Sequence, residues 1–295
     1  MSANDCARRG SIFLEPALVL EHEARAGAQY LLRLRAPRCA ASATPGSFIH
    51  LGCGPGVPMR RPLSILRADS AAGHIEVLYK VVGHGLATLA RHRPGEVLSC
   101  LGPIGRGFAP WPTHRRALLI GGGVGIPPLV FLAESLVAQT ATGWQPLLLA
   151  GSEIPFPFAT RPASIPVVGM PDDAVHALPM LEERSVPNRL ASRAGLPGCH
   201  GGHVTELAAH WLATLSPTDR AEVAVYACGP PPMLRAAAAL ARQHGLPCQV
   251  SLEERMACGV GGCAGCAVPV ATPEGPAMQR VCVDGPVFDA TAVFN

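Results

Sequence analysis

Cys258, Cys263 and Cys266 stand in C-x4-C-x2-C spacing, and Cys282 follows after fifteen intervening residues. Thiolates so placed suit a two-iron, two-sulfur cluster, since a tight loop can wrap three ligands around one side while a distant strand brings the fourth. Glycines at 259, 261, 262 and 265 permit the positive φ and close backbone approach such a loop demands, and their N–H groups can bond the cluster sulfurs. The competing chemistry is a structural zinc ion, but zinc knuckles favour two CxxC pairs, and here one CxxC overlaps a CxxxxC. A second constellation is Gly121, Gly122, Gly123 and Gly125, between an apolar run and a helix opened by Pro127 and Pro128. Such a turn lets a pyrophosphate approach the backbone at a helix N-terminus, although a plain tight strand-to-helix turn uses the same residues. Tyr226-Ala227-Cys228-Gly229-Pro230 is another strand ending in a turn, and strand ends of one parallel sheet converge on a ligand crevice. The third constellation is Arg61-Pro62-Leu63-Ser64, followed by Tyr79 and Lys80. An arginine can clamp a phosphate and a serine hydroxyl can bond a flavin edge, yet taken alone the segment reads better as an ordinary strand with a surface arginine.

Three segments must position these groups. Residues 11–112 read as short strands between turns, with AQYLLRLRA, SFIHLG, RPLSILRA, GHIEVLYKVVG and EVLSCLG interrupted by one helix, GLATLARH. That pattern predicts a small antiparallel β-barrel. Residues 113–250 alternate strand and helix: RRALLIGG, a helix from Pro128 to Gln139, PLLLAG, IPVVGM, VTELAAHWLATL, EVAVYACG and PMLRAAAALARQHG. The alternation predicts a parallel α/β sheet covered on both faces. Residues 171–203, rich in Pro, Gly and Arg, yield no assignment. Residues 251–295 read as a loop-like, cysteine-rich module until VCVDGPVF, too small for apolar burial alone to hold it.

Composition narrows the class. The chain has 295 residues, a net charge of +3, 48% hydrophobic and 15% charged residues, which excludes disorder. Residues 1–112 carry 13 basic and 7 acidic side chains and residues 113–295 carry 11 and 14, so neither part suggests nucleic acid. The apolar stretch behind Arg8 and Arg9 is cut by Glu15 and Pro16, so no secretory signal is read and a cytoplasmic protein is expected. The apolar, uncharged run Ala117 to Ala133 holds four glycines and two prolines and does not read as a membrane span. Eleven cysteines in such a chain argue for metal or redox duty rather than a disulfide framework.

Taken in order, RPLS from Arg61, YKVVGHG from Tyr79, GPIGRGF from Gly102, GGGVGIPPL from Gly121, YACGPPPML from Tyr226, ERMACGVGGCAGC from Glu254 and VCVDGPVF from Val281 resemble the ferredoxin-reductase-like flavoproteins. Across nearly the whole chain they are similar to the electron-transfer subunits of NAD-linked, B-type dihydroorotate dehydrogenases. The resemblance implies FAD against Arg61, Pro62, Leu63, Ser64, Leu78, Tyr79, Lys80, Gly85 and Leu86. It implies the NAD pyrophosphate by Gly121, Gly122, Gly123 and Gly125, and the nicotinamide near Cys228, Gly229 and Pro230, with Cys228 as the residue nearest the chemistry. It makes Cys258, Cys263, Cys266 and Cys282 the ligands of a [2Fe-2S] cluster. Leu86 stands where the family often has threonine, Arg106 where it has asparagine, and residues 184–203 keep only the end of its acidic, glycine-rich stretch.

The implied activity is conversion between electron currencies, from a partner's flavin through the cluster and FAD to NAD+. The partner would be an FMN-containing dihydroorotate dehydrogenase catalytic subunit docked near Cys258 to Cys266 in a heterotetramer. The same module serving a hydrogenase, a sulfide or a ferredoxin-linked reductase is the first alternative, and a non-enzymatic zinc-stabilised binding module is the second. Cys6, Cys39, Cys53, Cys100, Cys199 and Cys248 follow no spacing and read as small buried hydrophobes. His84, His200 and His203 read as turn and surface residues rather than ligands. Glu153, with no arginine beside it in the chain, would bond a ribose 2'-hydroxyl and favour NAD over NADP.

Overall fold

A computed structural model describes residues 11–294. Six strands, β1 (Phe13–Arg25), β2 (Gln29–Arg35), β3 (Phe48–Leu51), β4 (Arg61–Asp69), β5 (His74–Lys80) and β6 (Val97–Ile104), close an antiparallel barrel in the order β1-β2-β5-β4-β3-β6. Alternate residues turn inward: Leu32 and Leu34 from β2, Ile49 and Leu51 from β3, and Ile75 and Val77 from β5 fill one core. The strand β1 escapes the sequence reading because Pro16 reads as a breaker. In the barrel Pro16 lies opposite Ser99 without ending the strand. Two short helices flank the barrel, α1 (Pro37–Ser42) and α2 (Gly83–Leu89). Helix α1 lacks a capping side chain of its own, and Glu15 of β1 takes that role, accepting from the Arg38 and Cys39 N–H groups at 3.2 and 2.7 Å.

The second sheet runs β11-β8-β7-β12-β13-β16, with β7 (Arg116–Gly122), β8 (Gln145–Gly151), β11 (Asn188–Ala191), β12 (Val223–Cys228) and β13 (Cys248–Ser251) parallel and β16 (Val287–Asp289) antiparallel at the edge. Both faces are covered. Ala117 and Leu119 of β7 meet α3 (Ile126–Ala138), while Leu118 and Ile120 meet α5 (Val204–Thr214) and α7 (Pro231–Gln243). Leu66 of the barrel joins the α3 core, so barrel and sheet share apolar contact. Between β8 and β11 in sequence lie a two-stranded ribbon of β9 (Arg161–Pro162) and β10 (His176–Ala177) and the short helix α4 (Pro179–Glu182), and before β12 lies a second short helix, α6 (Pro217–Ala221).

Two expectations are corrected. IPVVGM is no strand: Pro166 and Gly169 interrupt it, Val168 is 82% exposed, and the sheet position goes to Asn188–Ala191, inside the stretch that resisted assignment. The cysteine-rich segment is not loop-like up to VCVDGPVF, for β14 (Ala267–Thr272) and β15 (Gly275–Arg280) form a hairpin there. After the hairpin the chain returns through β16 and α8 (Ala290–Val293) to the large sheet. Phe48 and Ile104 of the barrel pack with Cys266, Val270, Val281, Cys282 and Phe288 in one core, which ties the cysteine segment to the barrel. Among the described residues no helix is long and apolar enough to cross a membrane.

Candidate functional site

A cleft of about 800 Å³ opens where the barrel meets the C-terminal ends of β7 and β13. From the barrel it is walled by Arg61, Pro62, Leu63, Ser64, Leu78 and Lys80, with Tyr79 and Leu86 beside them. From the other side come Val124 of the glycine turn and Ser251 to Met256 after β13. That size is typical of a cofactor site, and its wall is apolar with a few convergent polar groups.

Arg61 is held in place. Its Nη1 donates to the Met59 carbonyl at 2.7 Å, and its guanidinium lies where a side-chain carbon on Gly85 would be, so a larger residue at 85 would push the guanidinium aside. Tyr79 contributes differently from its neighbours. Its ring sits in the barrel core, stacked on Tyr30 at 5.4 Å, and its hydroxyl is 2.8 Å from His22 Nε2. Burial pushes its phenol pKa up. Its ring therefore serves the barrel, and Leu78 and Lys80, on the opposite side of β5, face the cleft.

The two glycine turns, after β7 and after β12, abut. A side chain on Gly122 would meet Met233 and the Pro230 ring, one on Gly229 would lie 3.1 Å from Gly122 Cα, and one on Gly125 would overlap the Cys228 carbonyl. Most glycines of these turns are thus spent on interlocking the ends of β7 and β12. Gly123 differs, with φ +55° and open space around it. Cys228 is 1% exposed and does not line the cleft. Burial and the Glu253 carboxylate push its pKa up, so it is a neutral thiol beside Ser251.

The four cysteines of the C-terminal loop fall in two pairs. Cys266 and Cys282 have Sγ atoms 3.3 Å apart, and Cys258 is hydrogen-bonded with Cys263. Among the described residues no three His, Cys, Asp or Glu side chains converge on a single ion. Pairs of thiols suit a binuclear cluster, two ligands to each iron, better than one tetrahedral zinc. Main-chain donors already point at the sulfurs, Val260 N–H at Cys258 Sγ (3.4 Å) and Gly265 N–H at Cys263 Sγ (3.5 Å). Burial works against ionisation of Cys258, yet the surrounding N–H groups bring its pKa down to about 7. Burial and the Cys266 thiol push Cys282 up to about 12. A polar donor shell around paired thiols fits the cluster.

Two residues of this region were missed in the sequence. Glu253 stands at the cleft beside the cysteine loop, walled by protein that pushes its carboxyl pKa up. Fully buried His50 of β3 lies under the loop, with neither ring nitrogen hydrogen-bonded. A histidine inside the otherwise apolar FIHL was the available signal for the second. Glu153 is corrected: Arg193, arriving from the end of β11, reaches to 3.4 Å of its carboxylate, so an arginine does stand beside it in space. His200 pairs with Asp173 at 2.9 Å and His203 caps α5, which are structural roles. Cys39, Cys53, Cys100, Cys199 and Cys248 are buried as expected, and Cys6 lies outside the described residues.

Residues 253–294 match the iron-sulfur cluster binding domain of dihydroorotate dehydrogenase B. The dihydroorotate dehydrogenase B (NAD(+)) electron transfer subunit of Geobacillus sp. (strain WCH70) is 33% identical over 285 residues, covering 95% of this chain and 98% of that one. That of Geobacillus kaustophilus (strain HTA426) is 35% identical over 255 residues, 84% of this chain and 86% of its own. In fold, the chain is similar to an NADH-dependent reduced ferredoxin-NADP oxidoreductase, with TM-score 0.75 at 23% identity over 94% of this chain and 89% of the other. The ferredoxin reductase of carbazole 1,9a-dioxygenase superposes with TM-score 0.61 at 23% identity, over 80% of this chain and 67% of that one. With paired thiols, a walled cleft and relatives matched almost end to end, this chain belongs to the family of dihydroorotate dehydrogenase B (NAD(+)) electron transfer subunits.

Proposed function

We infer that this chain is an NAD-dependent iron-sulfur flavoprotein that carries electrons from an FMN-containing dihydroorotate dehydrogenase catalytic subunit to NAD+, in pyrimidine biosynthesis. The observation that carries this is the juxtaposition of the barrel cleft, the interlocked glycine turns and the four-cysteine loop on one side of the molecule. When bound, FAD exchanges both hydrides and single electrons, and so joins a two-electron carrier to a one-electron cluster.

The chain's own residues bind and orient. Arg61 is assigned to the FAD phosphates as a charge-assisted donor, and Pro62, Leu63, Leu78 and Leu86 to the apolar wall that keeps water from the ring. Ser64 is assigned to the flavin edge, Lys80 to its polar side, and the Gly85 main chain to close approach beneath Arg61. Gly121, Gly122, Gly123 and Gly125 would shape the NAD pyrophosphate site, with Gly123 the open position. Gly229 and Pro230, with the main chain of Cys228, would border the nicotinamide, the Cys228 side chain staying buried beneath them as a neutral thiol that exchanges no proton. Cys258, Cys263, Cys266 and Cys282 are assigned as the cluster ligands.

The functional units are taken as 11–112 for FAD, 113–250 for NAD and 251–295 for the cluster. The catalytic partner docks beside the exposed Cys263 edge of the loop, in a cytoplasmic heterotetramer. The test is an anaerobic absorption spectrum with flavin, iron and sulfide analysis, followed by NADH addition. One FAD, two irons and two sulfides per chain with bleaching by NADH is expected; zinc without flavin would overturn the reading.

A further inference from the structure

One barrel side chain reaches the cysteine loop without a partner. Along β3, Ile49 and Leu51 enter the barrel core, while Phe48 and His50 lie on the opposite, outward face. There Phe48 borders the cleft and packs with Cys266 and Cys282. His50 lies beneath the loop, its Nδ1 2.8 Å from where a side-chain carbon on Gly259 would be. His50 is 0% exposed, and both ring nitrogens lack a hydrogen-bond partner. The Met256, Cys258 and Arg60 main chains lie within reach of the ring, but none makes a hydrogen bond of normal geometry with it. A buried imidazole always retains at least one N–H, and buried donors in native proteins are almost always satisfied. Gly259, at φ +69°, leaves the space above the ring free.

We propose that His50 is the hydrogen-bond donor the barrel supplies to the Cys258 end of the [2Fe-2S] cluster, making it a positioning and potential-setting residue. The inference rests on the four cysteines being the cluster ligands. A donor to a cluster sulfur stabilises the more negative, reduced form and so raises the reduction potential. Phe48, two residues away on the same strand, borders the cleft assigned to the flavin, so the donor is anchored rigidly to the flavin's wall.

The experiment uses the full chain with its cluster, reduced anaerobically and labelled with 15N-histidine, read by pulsed electron paramagnetic resonance. A histidine nitrogen coupled to the reduced cluster is expected. Redox titration of His50→Leu should shift the cluster midpoint to a lower potential, and His50→Gln, which keeps an N–H, should shift it less. A normal reduced-cluster spectrum without histidine coupling would overturn the proposal, and so would a His50→Leu midpoint equal to the unaltered chain's. The labelled unaltered chain decides the matter even where the leucine variant does not fold. Absence of any [2Fe-2S] signal would instead overturn the ligand assignment, and this proposal with it.

Discussion

Arg61 shows how one side chain can be both fixed and available. Its guanidinium is tethered by the Met59 carbonyl and seated over Gly85, so little rotamer freedom is left to lose when a phosphate arrives. Hydrogen bonds to charged groups contribute about 1.5–3 kcal/mol. Arg61→Ala is therefore expected to weaken FAD binding by roughly 10- to 150-fold, read by fluorescence titration of the deflavinated protein. Cys282 is a second residue-scale case. It comes from beyond the hairpin and is buried against Cys266 at 3.3 Å, so no neighbouring thiol can take its place. Cys282→Ser should bring iron and sulfide down to background on colorimetric analysis, and an intact iron content would remove it from the ligand set.

Elements here are joined by close main-chain approach and by single carboxylates. Gly125 allows the turn after β7 to press on the carbonyl of Cys228, and a methyl at that point has main chain rather than a flexible side chain to displace. Overpacking of this kind costs about 1–3 kcal/mol. Gly125→Ala should lower the Tm by several degrees and slow flavin reduction by NADH in stopped flow. Glu182 of α4 organises the irregular stretch after β9, accepting from Ser164 N–H and Ile165 N–H, both at 2.9 Å, and from the Ser164 hydroxyl at 2.8 Å. Burial opposes its ionisation, but these donors prevail and hold its pKa below the usual 4.5. A carboxyl depressed on folding stabilises above its unfolded pKa and loses that contribution as the pH falls through the folded value. Urea midpoints of the chain should therefore decline below about pH 4.5, and Glu182→Gln should be less stable at pH 7 with a flatter acid limb. Equal midpoints at pH 7 would show that these bonds contribute nothing.

The whole molecule works only if barrel and sheet keep their relative placement, since the cleft takes walls from both. An ionic relay spans that junction: Arg33 bonds Glu76 at 2.7 Å, Glu76 faces Arg67 at 3.5 Å, and Arg67 grips Glu134 of α3 through Nε and Nη2 at 2.8 and 2.5 Å. The Glu134 side chain is 11% exposed and that of Arg67 26%, so removal of the Glu134 charge leaves a half-buried guanidinium with only Glu76 facing it. Glu134→Gln should cost about 1.5–3 kcal/mol in thermal or urea unfolding. It should also slow hydride transfer from NADH to the flavin more than it weakens FAD binding. Chemistry written in covalent spacing was legible from the chain alone: the cysteine loop, the glycine turns, and the barrel-then-α/β order carried by hydrophobic periodicity; the arginine and serine of β4 drew their meaning only from the motifs around them. Those signals are local, because a loop of fixed length presents its ligands whatever surrounds it. Pairings between distant segments were decided only by tertiary structure, since register and packing choose among strands of similar local character. Asn188–Ala191 took the sheet position that Ile165–Met170 could not hold, β16 carried the chain end back beside β13, and Arg193 met Glu153 across forty residues. His50 became a buried group facing the cluster loop for the same reason: the face a strand turns outward is set by what covers it.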